Sequence, residues 1–269
     1  MQAVGRRIDD TETRCQERNS LHAAGLAVER RGTAGHAKLC VLFSYNTTMQ
    51  EITPGVWWLP LVPPYSINAF FADGMLFDAG TRFHPSLVRW MLRRHRVVAH
   101  ALTHAHPDHQ GGSHAICAAL NIPLWCGAKD APAVERGTTR ELLPPTLSNR
   151  LVDGAFRGPP HPVARVLHEG DTVSSFEVLD VPGHSPGHIA FWRQRDRVLI
   201  MGDVVVHCHP LTNRIELREP LAHFTPNPTL NRQSARKLAA LHPRVLCFGH
   251  GPPLHNDGAF EAFVGTLDR

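Results

Sequence analysis

The chain of 269 residues carries 28 Lys and Arg against 24 Asp and Glu, a formal charge of +4, and is 42% apolar. That length can bury one large core or two small ones, and so mild a positive balance does not argue for a nucleic-acid partner. No stretch approaches the ~20 apolar residues of a membrane span, and the N-terminus lacks the hydrophobic core of a secretory signal. The six scattered cysteines, without a CxxC pair, read as reduced thiols of a cytoplasmic protein.

In chain order, residues 1–48 mix both charge signs with Gly and Ala and lack sustained apolar periodicity, so a loosely packed or disordered extension is expected there. Residues 49–269 form the expected domain. "GVWWLPLV" and "INAFFADGMLFDAG" read as strands, the latter pair joined at an Asp73-Gly74 hairpin turn. Leu87, Val88, Met91 and Leu92 recur at helical spacing within 84–95, and the arginines among them read as a solvated face. "VVAHALT" (97–103) reads as a buried strand, "SHAICAAL" (113–120) as a helix, and "PLWCG" as a short strand. Residues 137–162, rich in Gly, Pro and polar groups, predict a long loop lying over or beside the site, of the kind that selects substrates. "FEVLDVPGHSPGHIAFW" and "RVLIMGDVVV" return to strands. Asn227 and Pro228 open a helix over 227–241, and "RVLCFGHGPP" is a final strand and loop.

Histidine, at 19 residues, is the unusual count, and three of them crowd into "THAHPDHQGG" (103–112). His104, His106, Asp108 and His109 thus sit on a loop at the end of a buried strand, where several side chains can turn towards one point. Imidazoles and carboxylates are preferred ligands of zinc and related ions. His184, Asp203 and His250 each follow an apolar run with glycine beside them. Four strand ends converging on one sheet edge make a metal pocket. Because one ion takes about four ligands, seven candidates imply two ions, zinc first, with iron or manganese as alternatives.

With "THAHPDHQGG", "PGHSPGH", "GD" and "GHG" in this order over roughly residues 50–255, the chain resembles the metallo-β-lactamase-fold superfamily, particularly its glyoxalase II-like and lactonase-like branches. The resemblance implies a four-layer αββα sandwich with a dinuclear site along one edge. It implies that His104, His106 and His184 hold one ion, that Asp108, His109 and His250 hold the other, and that Asp203 bridges them. "LFDAG" resembles the superfamily's strand ending in an aspartate, so Asp78 would brace the metal loop. Two cations about 3.5–4 Å apart make hydroxide from a shared water near neutral pH, and Asp108 is the candidate to orient it and shuttle the proton.

Around that set, His188 is expected to support a ligand, and Tyr65, His207 and His209 are considered for substrate contact. Cys208 is not needed as a ligand, and His100, His114 and His242 read as ordinary core or surface histidines. Departures from subfamily patterns narrow the activity. The best-known zinc β-lactamases place a cysteine where Asp203 stands, which points away from β-lactamase activity. The segment "HCHPLTNRIELREP" does not match the persulfide dioxygenase branch, and "GHGPP" differs from the ending of glyoxalase II proper. The expected activity is hydrolysis of a small ester, thioester or lactone, a small-molecule substrate with no nucleic acid or membrane involved. The alternative is a phosphodiesterase or endoribonuclease of the same fold, and a non-catalytic metal-binding protein is a third reading.

Overall fold

The computed structural model describes residues 48–210 and 212–267. The extension expected over residues 1–48 lies, Thr48 apart, outside the described residues. A first sheet begins as a meander of β1 (Gln50–Thr53), β2 (Val56–Val62), β3 (Ile67–Ala72) and β4 (Met75–Phe77). Asp73 and Gly74 turn β3 into β4 with φ of 49° and 82°, the paired positive values that a two-residue hairpin needs. The chain then crosses through α1 (Pro85–Met91) to β5 (Ala99–Ala101), through α2 (Pro107–Gln110) and α3 (Ser113–Leu120) to β6 (Leu124–Gly127), and through α4 (Ala131–Arg136) and α5 (Leu147–Phe156) to β7 (Arg165–Leu167). β4 to β7 pair in parallel.

The second sheet holds β8 (Thr172–Val173), β9 (Phe176–Asp180), β10 (Ile189–Arg193), β11 (Val198–Gly202), β12 (Val245–Phe248) and β13 (Leu254–His255) in sequential order. α6 (Pro228–Ala239) links β11 to β12, which pair in parallel, and α7 (Ala259–Val264) follows β13. The sheets face each other through alternate residues: Phe77 of β4 meets Phe176 and Phe191 at ring separations of 5.3 and 4.7 Å. Each such ring contributes on the order of 2 kcal/mol by leaving water. The opposite faces are also buried. Leu59, Phe71 and Leu76 pack with Val88, Met91 and Ile116 of α1 and α3, and Leu199, Met201, Leu246 and Phe248 pack with Leu238 of α6 and Phe260 of α7. Burial on both faces explains why the strands are continuous apolar runs rather than alternating ones. The architecture is the expected αββα sandwich.

Three elements differ from expectation. α1 stops at Met91 instead of running to His95, and Arg93 donates Nη1–H to the Trp90 carbonyl at the helix end (2.7 Å). The strand expected over 97–103 is regular only at Ala99–Ala101; Leu102 N–H still reaches the Trp125 carbonyl (3.0 Å), but Thr103 N–H is claimed by the site and donates to Asp78 Oδ1 at 2.8 Å. The segment 137–162 is not a plain loop, since it contains α5. Thr146 caps that helix by accepting from Asn149 N–H, and buried Asp153 accepts from Thr139 N–H (2.9 Å) and Oγ1–H (2.7 Å), folding the segment back on itself.

Candidate metal centre

Topology brings the candidate donors to one edge. β9 is two antiparallel steps from β11, and β11 is parallel to β12, so all three run the same way and end together. His184, Asp203 and His250 follow those ends. In the other sheet β5 delivers Thr103 and His104, and the single turn of α2, opened by Pro107, aims Asp108 and His109. Gly249 is required by contact: a Cβ there would lie 2.0 Å from Asp203 Oδ1.

The seven residues fall into overlapping groups whose donor atoms lie within 4.8 Å of one another: His104, His106 and His184; His104, His109 and Asp203; Asp108, His109 and His250. Asp203 stands between them. Its Oδ2 is 3.5 Å from His109 Nε2, 3.5 Å from His184 Nε2 and 2.9 Å from His250 Nε2.

Each imidazole spends one nitrogen on the protein and keeps the other. His109 Nδ1–H donates to Asp78 Oδ2 (2.9 Å) and His250 Nδ1–H to the Ser66 carbonyl. Thr225 Oγ1 gives its proton to the Leu221 carbonyl, so it accepts from His184 Nδ1–H (3.0 Å). Thr103 Oγ1 gives its proton to Asp78 Oδ2 and accepts from His104 Nδ1–H (3.1 Å). His106 Nε2–H faces the Leu142 carbonyl (3.3 Å), leaving Nδ1. His104 Nε2, His109 Nε2 and Asp203 Oδ1 are buried without any hydrogen-bond partner. Buried polar atoms are rarely left this way, and lone pairs aimed at a common point fit a bound cation. Nitrogen and carboxylate oxygen together suit zinc, iron or manganese.

Electrostatics agree. Burial drives His104 and His184 well below the usual histidine range, helped by neighbouring imidazoles, so both are neutral and able to coordinate. Burial would also lower His109, but Asp203, Asp78 and Asp108 outweigh it and push His109 up to about 10. His250 is likewise raised, against burial, by Asp203 and Asp108. The carboxylates demand positive charge at this point, which protons meet when metal does not.

A model of the metallo-beta-lactamase superfamily matches residues 63–250. The chain belongs to the metallo-β-lactamase superfamily. It is 32% identical over 177 residues to the probable metallo-hydrolase YflN of Bacillus subtilis, covering 59% of this chain and 66% of that protein. It is 32% identical over 114 residues to a hydroxyacylglutathione hydrolase of Bdellovibrio bacteriovorus, covering 40% of this chain and only 35% of that enzyme. Among solved structures, the BLEG-1 B3 metallo-β-lactamase superposes with a TM-score of 0.56 at 29% identity, over 74% of this chain and 93% of its own. TTHA1623 in a di-iron-bound form gives 0.54 at 28%, over 78% and 96%. The protein is thus a metallo-β-lactamase-fold hydrolase, and the fold implies divalent metal ions at this cluster.

Further positions in this superfamily member depart from, or add to, the expected set. Asp78 braces the metal loop as expected, holding Thr103 and His109. His188 donates Nε2–H to the Met201 carbonyl (3.1 Å) with its ring 4.6 Å from His104, a packing role. His100 is a core residue bonded to Leu76 O and Ser113 Oγ, His114 bonds the Pro160 carbonyl, and the His242 side chain is 71% exposed. The cavity above the donors, about 320 Å³, is lined by Ser66, Ile67 and Cys208 rather than by Tyr65, His207 or His209. Tyr65 packs on the inter-sheet core, and His207 Nδ1–H donates to the Pro252 carbonyl (2.8 Å). Leu143, Val152 and Phe156 also line the cavity, so the 137–162 segment does stand beside the metal edge.

Sequence reasoning missed Asp130. Fully buried, its Oδ2 accepts from Ala105 N–H (2.9 Å) and Ser185 Oγ–H (2.7 Å), and its Oδ1 from Gly187 N–H (2.7 Å). It ties the loop of His104 and His106 to the loop of His184. Asn68 acts similarly on the last loop, donating Nδ2–H to the Phe248 and Gly251 carbonyls. Asp130→Asn replaces one acceptor oxygen by a donor facing other donors. Metal affinity should fall about 10- to 100-fold, as when groups that orient ligands are lost. Competitive titration against a chromophoric chelator reads this directly; an unchanged affinity removes Asp130 from the site.

Proposed function

We propose that this protein hydrolyses a small ester, thioester or lactone with two divalent ions, zinc first and iron or manganese as alternatives. One observation carries this reading: seven donors, three of them with buried atoms that have no hydrogen-bond partner, converge under a cavity of small-molecule size. His104, His106 and His184 would hold one ion, Asp108, His109 and His250 the other, with Asp203 between them. When bound, such ions acidify water and polarise the acyl oxygen.

The chain's own groups do the rest. Asp203, 3% exposed, supplies the shared negative charge. Asp108 is the most exposed of the cluster members that line the cavity: its side chain is 31% exposed and its Oδ2 lies 3.3 Å from His250 Nε2. At Oδ2 it can take the proton of the attacking water and return it to the departing oxygen or sulfur. The largely apolar walls of a cavity of about 320 Å³ favour a small molecule over a nucleic acid. Similarity to a hydroxyacylglutathione hydrolase supports including thioesters. The buried free thiols Cys117, Cys126, Cys208 and Cys247 support a reducing, cytoplasmic setting, and among the described residues no helix is long and apolar enough to cross a membrane.

The test is a panel of thioesters, lactones, aryl esters and a phosphodiester, run on protein whose metal has been measured. Close to two ions per chain and turnover of acyl substrates are expected. A single tight ion with no second uptake removes the dinuclear assignment, and turnover of the phosphodiester alone replaces the acyl hydrolase by a phosphodiesterase.

A further inference from the structure

Arg218 lines the cavity above the donor cluster. Its side chain is 28% exposed, and it lines the same cavity as Asp108, Asp203 and His250. Its backbone is fixed: Arg218 N–H and C=O exchange hydrogen bonds of 3.0 Å with Val206, three residues beyond Asp203. The guanidinium is not so well served. Its Nε is buried without a partner, and among the described residues its one ion pair is Nη1 to Glu216 Oε1 at a long 3.4 Å. Glu216 also faces Arg214 at 3.7 Å. The adjacent cavity carboxylate does not help, because Glu219 binds Arg232 bidentately at 2.7 and 3.0 Å. Arg218 is therefore a cation on a largely apolar wall with donors to spare.

We infer that Arg218 anchors a carboxylate of the substrate, so that the site acts on an acyl compound with an apolar body and one anionic group remote from the reacting carbonyl. This rests on the acyl-hydrolase reading above. A guanidinium presents parallel N–H groups that match a carboxylate and is held charged at every working pH. Val152 and Phe156 of α5 supply the apolar wall for the connecting chain.

The test compares p-nitrophenyl hexanoate with mono-p-nitrophenyl adipate, which share a chain length and differ by a terminal carboxylate, on metal-loaded protein. Wild type should prefer the adipate ester about 10- to 100-fold in kcat/KM, the range of one charge-assisted pair. Arg218→Met should bring that ratio near one with metal content unchanged, and Arg218→Lys should restore part of it. Calorimetric binding of adipate against hexanoate gives the same comparison without turnover. If neither ester is hydrolysed, the binding ratio still decides Arg218, and the acyl-hydrolase reading is decided separately by the thioesters and lactones of the panel. No preference in wild type, or a preference that survives in Arg218→Met, overturns the anchor.

Discussion

Asp203→Asn should cost the protein its second ion and at least about 100-fold in turnover. The carboxylate is buried, its Oδ2 sits within 3.5 Å of ring nitrogens from both donor groups, and its Oδ1 has no protein partner. Two divalent ions ~4 Å apart repel strongly wherever water is excluded, and a shared negative charge is what offsets this. Asparagine keeps the shape and removes the charge. It also turns one donor atom into an amide that points protons at a cation. Elemental analysis and turnover on the best panel substrate read the two consequences separately. Retention of two ions with near-normal turnover means that Asp203 does not bridge.

Metal uptake by the group of Asp108, His109 and His250 should be steeply pH-dependent. In chelator-stripped protein the carboxylates keep His109 protonated up to about 10 and hold His250 well above its ordinary value. A protonated imidazole nitrogen cannot coordinate, so each ion that enters must expel those protons. Displacing the His109 proton alone makes affinity rise about 10-fold per pH unit below its value near 10, and the His250 proton steepens this wherever it too must leave. The sign for stability without metal is opposite. His109, raised above its unfolded value, stabilises the fold fully below about pH 6.5, and that contribution is lost as pH rises through its folded value near 10. Asp108 and Asp203, held below the carboxylate range by the same partners, lose theirs only as pH falls through their lowered values. Calorimetry in buffers of different ionisation enthalpy counts the protons released. Release near zero at pH 7 means that His109 and His250 are neutral before metal arrives.

The donors themselves were legible in the amino-acid sequence because their signal is local. Four of them lie within six positions, and His184, Asp203 and His250 each mark the end of an apolar run, so strand ends and ligand types coincide. The apolar runs are long because the sheets are buried on both faces, and the same runs identify the sandwich. The helix at 113–120 and the Asn227 cap were equally local, and Asn227 Oδ1 does accept from Leu230 N–H at 3.0 Å.

What needed the folded chain is whatever depends on partners far apart in sequence. Asp130 reaches Ser185 across 55 residues, Thr225 reaches His184 across 41, and Asn68 reaches Gly251 across 183. No spacing rule announces such pairs, since a buried aspartate or threonine looks like any surface one until its neighbours are placed. α5 was hidden for a related reason. Its flanking prolines and glycines read as loop, whereas its stability comes from Thr139 and Arg157 closing on the buried carboxylate of Asp153. The cavity lining differs from the expected one for the same cause, because Tyr65 and His207 turned to inward partners while Arg218, in an unremarkable charged stretch, was carried by its bridge with Val206 to the cavity wall. Residue types and local order thus determined that metal would be held and roughly where. Only tertiary packing decided which nitrogen of each histidine is free, what braces it, and what the cavity above it can accept, because those are properties of hydrogen bonds closed over long loops.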